Sequence, residues 1–330
     1  MYLVKIINRV KKTAPATSVL ALLTSCQNTI IDHIYKFRCK DLDPCLILMC
    51  DGGISSQIYQ YIWGQMLMDA GYPVKYDYTF YDDDGKDMNG QFDRSYVLDK
   101  LCYLDRVVVA PRYQAKYYRK HYLNPLNQSP NPSMVMNLHH SWTIPQYLGN
   151  YYTCNDDEYL DCLKKYVKFR PIEEILDQNS YNLYNKIITC ESVGVHIRRG
   201  DMVQSTSQWT TPTINYFVQT IQSEEFKGKE FFLFSDELDW VEENLLPLLP
   251  NEKITLMKQN TSEKGYVDLY LLSRCKHQIA SQGSFGVLGF ALNPNPDKIL
   301  MFPLGSRDSA GARLKSETVI YFDLDGNRLC

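Results

Sequence analysis

From Ser192 to Phe302 the sequence alternates short apolar runs with helical stretches, and few folds accommodate that order. Ser192–Ile197, Glu230–Phe234, Gln278–Ser281 and Lys298–Phe302 have strand length, and the last of them reads as the final strand. An acidic stretch from Glu237 through Leu246, then Val267–Cys275 and Phe285–Leu292, reads as helix. Strands separated by helices predict a parallel sheet covered on both faces. Such sheets bind ligands outside the carboxyl ends of their strands. The polar signals of this segment fall at those ends.

The amino-terminal half opens in the same way. Leu46–Cys50 reads as a strand, Asp51-Gly52-Gly53 as a turn, and Ile58, Tyr61, Ile62 and Met66 as one face of a helix. Ser55 or Ser56 is the expected cap of that helix. The stretch from 80 to 165 is polar, aromatic and Pro-rich over Asn124–Pro132, and no topology is legible there. Asp156–Lys168 reads as a helix capped by Asn155 and broken at Phe169-Arg170-Pro171. At 330 residues the chain exceeds one ordinary core. The expected division is an extension (1–44), a first α/β domain (45–168), a junction (169–190), a second α/β domain (191–305) and a tail (306–330).

Net charge is −3, which argues against a broad nucleic-acid-binding face. Ten scattered cysteines without a C-x-x-C pair suit a reduced, cytoplasmic protein. Asn127-Gln128-Ser129 and Asn260-Thr261-Ser262 match a glycosylation pattern common enough by chance to say nothing of secretion. No run is long and apolar enough to span a bilayer. In residues 1–12, Leu3, Ile6, Ile7 and Val10 share a helical face with Lys5, Arg9, Lys11 and Lys12 around it. That pattern fits either peripheral contact with an anionic inner-membrane surface or simple docking on the protein. The 25 tyrosines supply flat faces with a hydroxyl, a side chain suited to sugars and equally to ordinary cores.

Four motifs carry chemistry. Gly194-Val195-His196-Ile197-Arg198-Arg199-Gly200-Asp201 runs a strand straight into two guanidiniums. Adjacent arginines repel unless anions lie close, and their forks match phosphate oxygens. The arrangement serves a pyrophosphate, with Asp201 steadying one Arg, or a surface Arg–Asp cluster. Phe234-Ser235-Asp236 places a carboxylate where it accepts paired N–H donors such as those of guanine, or caps a helix. Ser281-Gln282-Gly283-Ser284-Phe285 precedes a helix whose N-terminus and Ser284 suit a phosphate, Ser284 serving otherwise as a cap. Gly52-Gly53-Ile54-Ser55-Ser56-Gln57 is weaker alone and lacks the Gly-Lys-Ser/Thr ending of an ATPase phosphate loop. Asp82-Asp83-Asp84 invites a metal, or makes a solvated turn beside Gly85.

In order, these motifs resemble the alpha-1,2-fucosyltransferase family, glycosyltransferase family 11, in its bacterial branch. Gly52 to Tyr61 is similar to the family's first motif. His196-Ile197-Arg198-Arg199-Gly200-Asp201 matches a His-x-Arg-Arg-x-Asp motif shared with alpha-1,6- and protein O-fucosyltransferases. Phe234-Ser235-Asp236, Asp268 to His277, and Gly85-Lys86-Asp87 through Phe92 and Arg94 extend the likeness over about residues 46–303. The resemblance implies a GT-B-like α/β fold of two Rossmann-type domains facing across a cleft. It implies transfer of L-fucose from GDP-fucose to a β-galactoside acceptor glycan with inversion, and neither cofactor nor metal. Arg198 would bind the β-phosphate, His196 and Asp236 with Ser235 the guanine end, and Ser284 a phosphate. Gly53 and Gln57 would line the donor–acceptor side, and Arg198, Arg199 and Asp201 form the catalytic set, with Asp201 orienting an Arg and no base named. The family's Gly-Asn before the Gln is Ser55-Ser56 here, and its aromatic pair is Val287-Leu288. The alternatives are a catalytically weak binder of glycan or nucleotide on this scaffold, or a metal-dependent transferase using Asp82–Asp84.

Overall fold

The computed structural model describes residues 17–83, 85–86, 90, 93–124, 142–149, 157–204, 211–258, 262–305 and 318–329. Residues 1–12, Asp84, Asn155, Asp87–Asn89, the Asn127 motif and Asn260-Thr261 lie outside them, as does the side chain of Asp201.

Helix α1 (Thr17–Cys39) precedes a three-stranded parallel sheet. Its strands are β1 (Leu46–Met49), β2 (Val74–Asp77) and β3 (Gln146–Leu148), in the order β2-β1-β3. Side chains alternate across β1. Leu46 and Leu48 join the core beneath α2 (Ile54–Asp69), whereas Ile47 joins a smaller cluster beneath α4 (Arg112–His121). Short helix α3 (Thr79–Asp83) follows β2. Helix α2 starts one residue before the expected caps. Gly53 occupies the capping position, no side chain caps it, and Ser55 and Ser56 lie inside the first turn.

Helix α5 (Gln178–Thr189) leads into a six-stranded parallel sheet. In chain order its strands are β4 (Ser192–Ile197), β5 (Glu230–Ser235), β6 (Lys253–Leu256), β7 (His277–Ala280), β8 (Leu300–Pro303) and β9 (Val319–Phe322). In space they run β9-β8-β7-β4-β5-β6. Lys298–Phe302 is therefore not the final strand. β9, inside the expected tail, pairs in parallel with β8 from Leu300↔Val319 to Pro303↔Phe322.

Every residue of β4 is buried, as a central parallel strand requires. Val193, Val195 and Ile197 face a cluster with Phe217 of α6 (Ile214–Ile221), Phe231 and Leu233. Gly194 and His196 face the other side, under α7 (Gly265–Arg274) and α8 (Ser284–Ala291). A Cβ at Gly194 would meet Leu272 at 2.5 Å, so α7 packs where that side chain is missing. The core on this face continues into the first half, joining Phe232, Phe234, Leu272 and Leu288 to Leu46, Ile58 and Ile62.

Candidate active site

The second sheet reverses its winding between β4 and β7: β5 and β6 continue on one side, β8 and β9 on the other. At such a switch point the loops leave in opposite directions and open a crevice at the carboxyl edge. Ser281, one residue past β7, joins the two strand ends there. Its backbone N–H donates to His196 O at 2.9 Å. Its hydroxyl also donates to His196 O and accepts from the Arg198 N–H, both at 2.8 Å. The sequence reading quoted Ser281 in a motif without giving it this task.

The two arginines diverge. Arg199 turns toward the helix after β5, where its guanidinium carbon lies 3.6 Å from the Trp240 ring centroid and its Nε donates to Glu237 at 3.0 Å. Arg199, expected in the catalytic set, is held by protein on both sides. Arg198 stays at the crevice, with its guanidinium 3.3 Å from Asp236 Oδ2. Asp236 Oδ1 accepts the Arg199 N–H at 2.9 Å. Asp236 thus ties both arginines to the end of β5. Ser235 accepts the Glu237 N–H at 3.0 Å and so shapes the turn after β5.

His196 is 8% exposed and stacks on Phe285, with ring centroids 4.9 Å apart. Burial, reinforced by the charge of Arg198, pushes its pKa down to about 3, so the ring is neutral at neutral pH. Its Nδ1 has no hydrogen-bond partner among the described residues. A buried unpaired nitrogen is costly unless something arrives to satisfy it. Beside it begins α8, with Gly283 (φ +111°) as its cap residue, no side-chain cap, no acid in its first turn and Ser284 as its first residue. Such a terminus presents backbone N–H donors and a positive dipole end to an anion. Gly286 permits this closeness: a Cβ there would lie 2.5 Å from Ala280 Cβ and 3.3 Å from His196 Nδ1. Val287 and Leu288, which replace the family's aromatic pair, are fully buried core residues behind this turn.

The first sheet contributes the turn after β1. Gly53 lies beside Arg94, whose Nη1 is 3.6 Å from where a Gly53 Cβ would stand, an ordinary contact distance. Gln57, expected to line the donor–acceptor side, has its amide engaged by protein at both ends. It is 2% exposed, and its amide donates to Gly52 O and Ser95 O while accepting from the N–H groups of Val97 and Leu98. All its bonding capacity ties the 95–98 loop to the Gly turn. Asp51 and Gln60 form a second buried pair there, at 2.6 and 3.0 Å. Beside Gly52 stand Tyr78, Tyr81 and Tyr96, half-buried, with Tyr78 and Tyr96 rings 4.4 Å apart and the Tyr81 hydroxyl donating to Gly52 O at 3.2 Å. Asp82 and Asp83 are engaged by Arg112, and Asp83 also by Lys116. Among the described residues no group of three acidic, His or Cys side chains is placed to hold a metal.

Two parallel sheets, the second with its ligand edge at a switch point, define a GT-B-like α/β protein. The chain belongs to glycosyl transferase family 11, whose sequence model matches residues 134–310. It is 31% identical over 147 residues to the O-antigen biosynthesis glycosyltransferase WbnK of Escherichia coli, which is 41% of this chain and 46% of that one. It is likewise 31% identical over 128 residues to an Escherichia coli alpha-1,2-colitosyltransferase, 37% of this chain and 42% of that one. The matched stretches thus span less than half of either relative. NodZ alpha-1,6-fucosyltransferase co-crystallized with GDP shares the fold at a TM-score of 0.51 and 12% identity, over 87% of this chain and 98% of that one.

Proposed function

We propose that the chain is an inverting glycosyltransferase that moves L-fucose from GDP-β-L-fucose to the 2-hydroxyl of a terminal β-galactoside, without a metal, in assembly of a surface glycan. One observation carries the reading: Arg198, the unpaired Nδ1 of buried His196 and the uncapped start of α8 meet at the β4–β7 switch point. A nucleoside diphosphate suits all three. Arg198 forks the β-phosphate in place of Asp236, the α8 terminus and Ser284 take phosphate oxygens, and His196 and Asp236 receive polar edges of the guanosine end.

In the reaction the bond between the fucose anomeric carbon and the β-phosphate oxygen breaks, and its electron pair leaves with GDP. The acceptor oxygen bonds to the opposite face of that carbon, and its proton passes to solvent water. Fixed positive charge at the departing pyrophosphate supplies the stabilisation that a metal ion supplies in other transferases. Tyr78, Tyr81 and Tyr96, with rings tilted to one another, offer half-buried aromatic faces for the acceptor sugar. The names of the relatives support glycosyl transfer in glycan biosynthesis, and one of them supports colitose as a second donor sugar.

The test is calorimetric titration with GDP, followed by transfer from labelled GDP-fucose and GDP-colitose to a glycan panel, with and without excess chelator. Fucosylated β-galactoside formed in chelator is the expected outcome. Transfer from GDP-colitose alone replaces the sugar, GDP affinity without any transfer leaves a binding protein, and activity restored only by added manganese or magnesium overturns the metal-free reading.

A further inference from the structure

The first sheet has a switch point of its own. β2 lies on one side of β1 and β3 on the other. Helix α2 covers one face of β1 and α4 the opposite face. Strand order therefore reverses at β1, and a reversal of this kind opens a ligand crevice at the carboxyl edge. Arg119 of α4 spans that edge. Its Nη2 donates to Asp77 Oδ2, at the end of β2, at 2.7 Å and to Thr79 Oγ1 at 3.0 Å. Its Nε donates to the Tyr147 hydroxyl of β3 at 3.0 Å, and that hydroxyl donates to Asp77 Oδ2 at 2.7 Å. The guanidinium is thus fixed from both strands that flank β1.

Asp77 is fully buried, whereas the Arg119 side chain is 39% exposed. Its Nε–H and both Nη2 donors are used, and Nη1 makes no hydrogen bond to a described residue. One edge of a rigidly held donor fork is therefore left at the crevice. Charge decides what that edge takes. Arg112, Lys116 and Arg119 form one row on α4, at i, i+4 and i+7, and they pair with Asp82, Asp83 and Asp77. Three acids match three cations, so the row offers hydrogen-bond donors without an excess of positive charge. Such an edge suits a neutral hydroxylated ligand better than an anion. Asp77 also joins this crevice to the tyrosines. Its Oδ1 accepts the Thr79 N–H and its carbonyl accepts the Cys50 N–H, both at 2.9 Å. These bonds fix the start of α3, with Tyr78 and Tyr81 beside it, against the turn after β1.

We propose that Arg119 binds the acceptor: its Nη1 donates to hydroxyl oxygens of a neutral sugar at the end of β1, while Asp77 and Tyr147 hold the guanidinium in place. The assignment rests on the transfer reaction proposed above and adds a polar contact to its aromatic faces. Its test is a binding measurement that needs no turnover. Methyl β-galactoside and lactose are titrated by ligand-observed NMR into the full chain, with and without GDP. The parent should bind them. Arg119→Lys keeps a cation beside Asp77 but has no fork, and it should raise the sugar dissociation constant about tenfold or more, the scale of a lost hydrogen bond to a charged group. Its affinity for GDP should match the parent's. Asp77→Asn/Arg119→Gln leaves no buried charge alone and should lose sugar binding likewise. Whichever variant keeps the parent's circular dichroism spectrum decides the matter. A residue that served only to neutralise Asp77 would let Arg119→Lys bind sugar like the parent. That outcome overturns the proposal, as does a parent that binds neither sugar. A parent without GDP affinity, whose sugar binding still depends on Arg119, overturns the donor reading and supports this one.

Discussion

Replacing Arg198 by alanine should lower kcat about a hundredfold or more, the usual scale for one charge aimed at a leaving group. Arg198→Lys should recover little of it, because an ammonium cannot fork across two oxygens. Steady-state kinetics beside GDP titration decides the matter, and near-parent turnover in Arg198→Ala removes this residue from the mechanism. His196 makes a second prediction at this scale. Its folded pKa of about 3 lies below the unfolded value near 6.5, so between these values the unfolded chain binds the extra proton. Stability therefore falls as pH drops from about 6.5 toward 3, with a slope of about one proton. His277, lowered by burial, and the carboxylates of Asp69 and Asp177, held below their usual range by their partners, add slope of the same sign, so thermal melts across this window should show His196→Gln lessening the slope by up to about one proton. The place of His196 and Arg198 at the end of a buried strand was legible in sequence because an apolar run leading into paired arginines is a local signal. The task of Gln57 was not, because its partners Ser95, Val97 and Leu98 lie about forty residues along the chain. The pinning of Arg199 was hidden for a similar reason: it depends on Glu237 and Trp240, brought alongside by the pairing of β4 with β5.

Among elements, α8 is the one whose placement the site depends on, and Gly286 sets that placement. Gly286→Ala drives a methyl against Ala280 of β7, so the helix must lift from the sheet or the sheet must yield. Overpacking of this kind costs about 1–3 kcal/mol, and the lift also moves the α8 terminus and Phe285 away from His196. Loss of GDP affinity should therefore exceed what the fall in melting temperature alone explains. A variant that is destabilised yet binds GDP like the parent breaks the link between α8 and the donor. β4, β5, β7 and β8 were readable in the sequence, whereas β6, an edge strand whose residues are exposed or only partly buried, was not. β2 and β9 escaped notice for opposite reasons. Val-Lys-Tyr-Asp in β2 mixes polar and apolar residues within four positions, and Val319–Phe322 looks like a tail until its pairing with β8 is seen.

At the scale of the whole molecule, the two sheets are not energetically separate, although the alternation of strands suggested two independent halves. One continuous core runs from Leu46, Ile58 and Ile62 to Phe232, Phe234, Leu272 and Leu288, and α5 adds an ion pair from Asp177, its cap, to Lys264 at 2.9 Å. Opening either half exposes apolar surface belonging to the other, so opening of the core should be global. On the proposed function, GDP binds at the second sheet and then stabilises both. At a GDP concentration one hundred times its Kd the global opening free energy rises by about 2.7 kcal/mol, or about a hundredfold in exchange rate. Hydrogen exchange followed by mass spectrometry tests this directly. Peptides covering Leu46–Met49 and Ile58–Leu67, remote in sequence from the donor residues, should slow by the same factor as the peptide covering Ser192–Ile197. If protection by GDP stops at the second sheet, the shared core does not couple the halves, and donor binding is a local event confined to residues after Glu191.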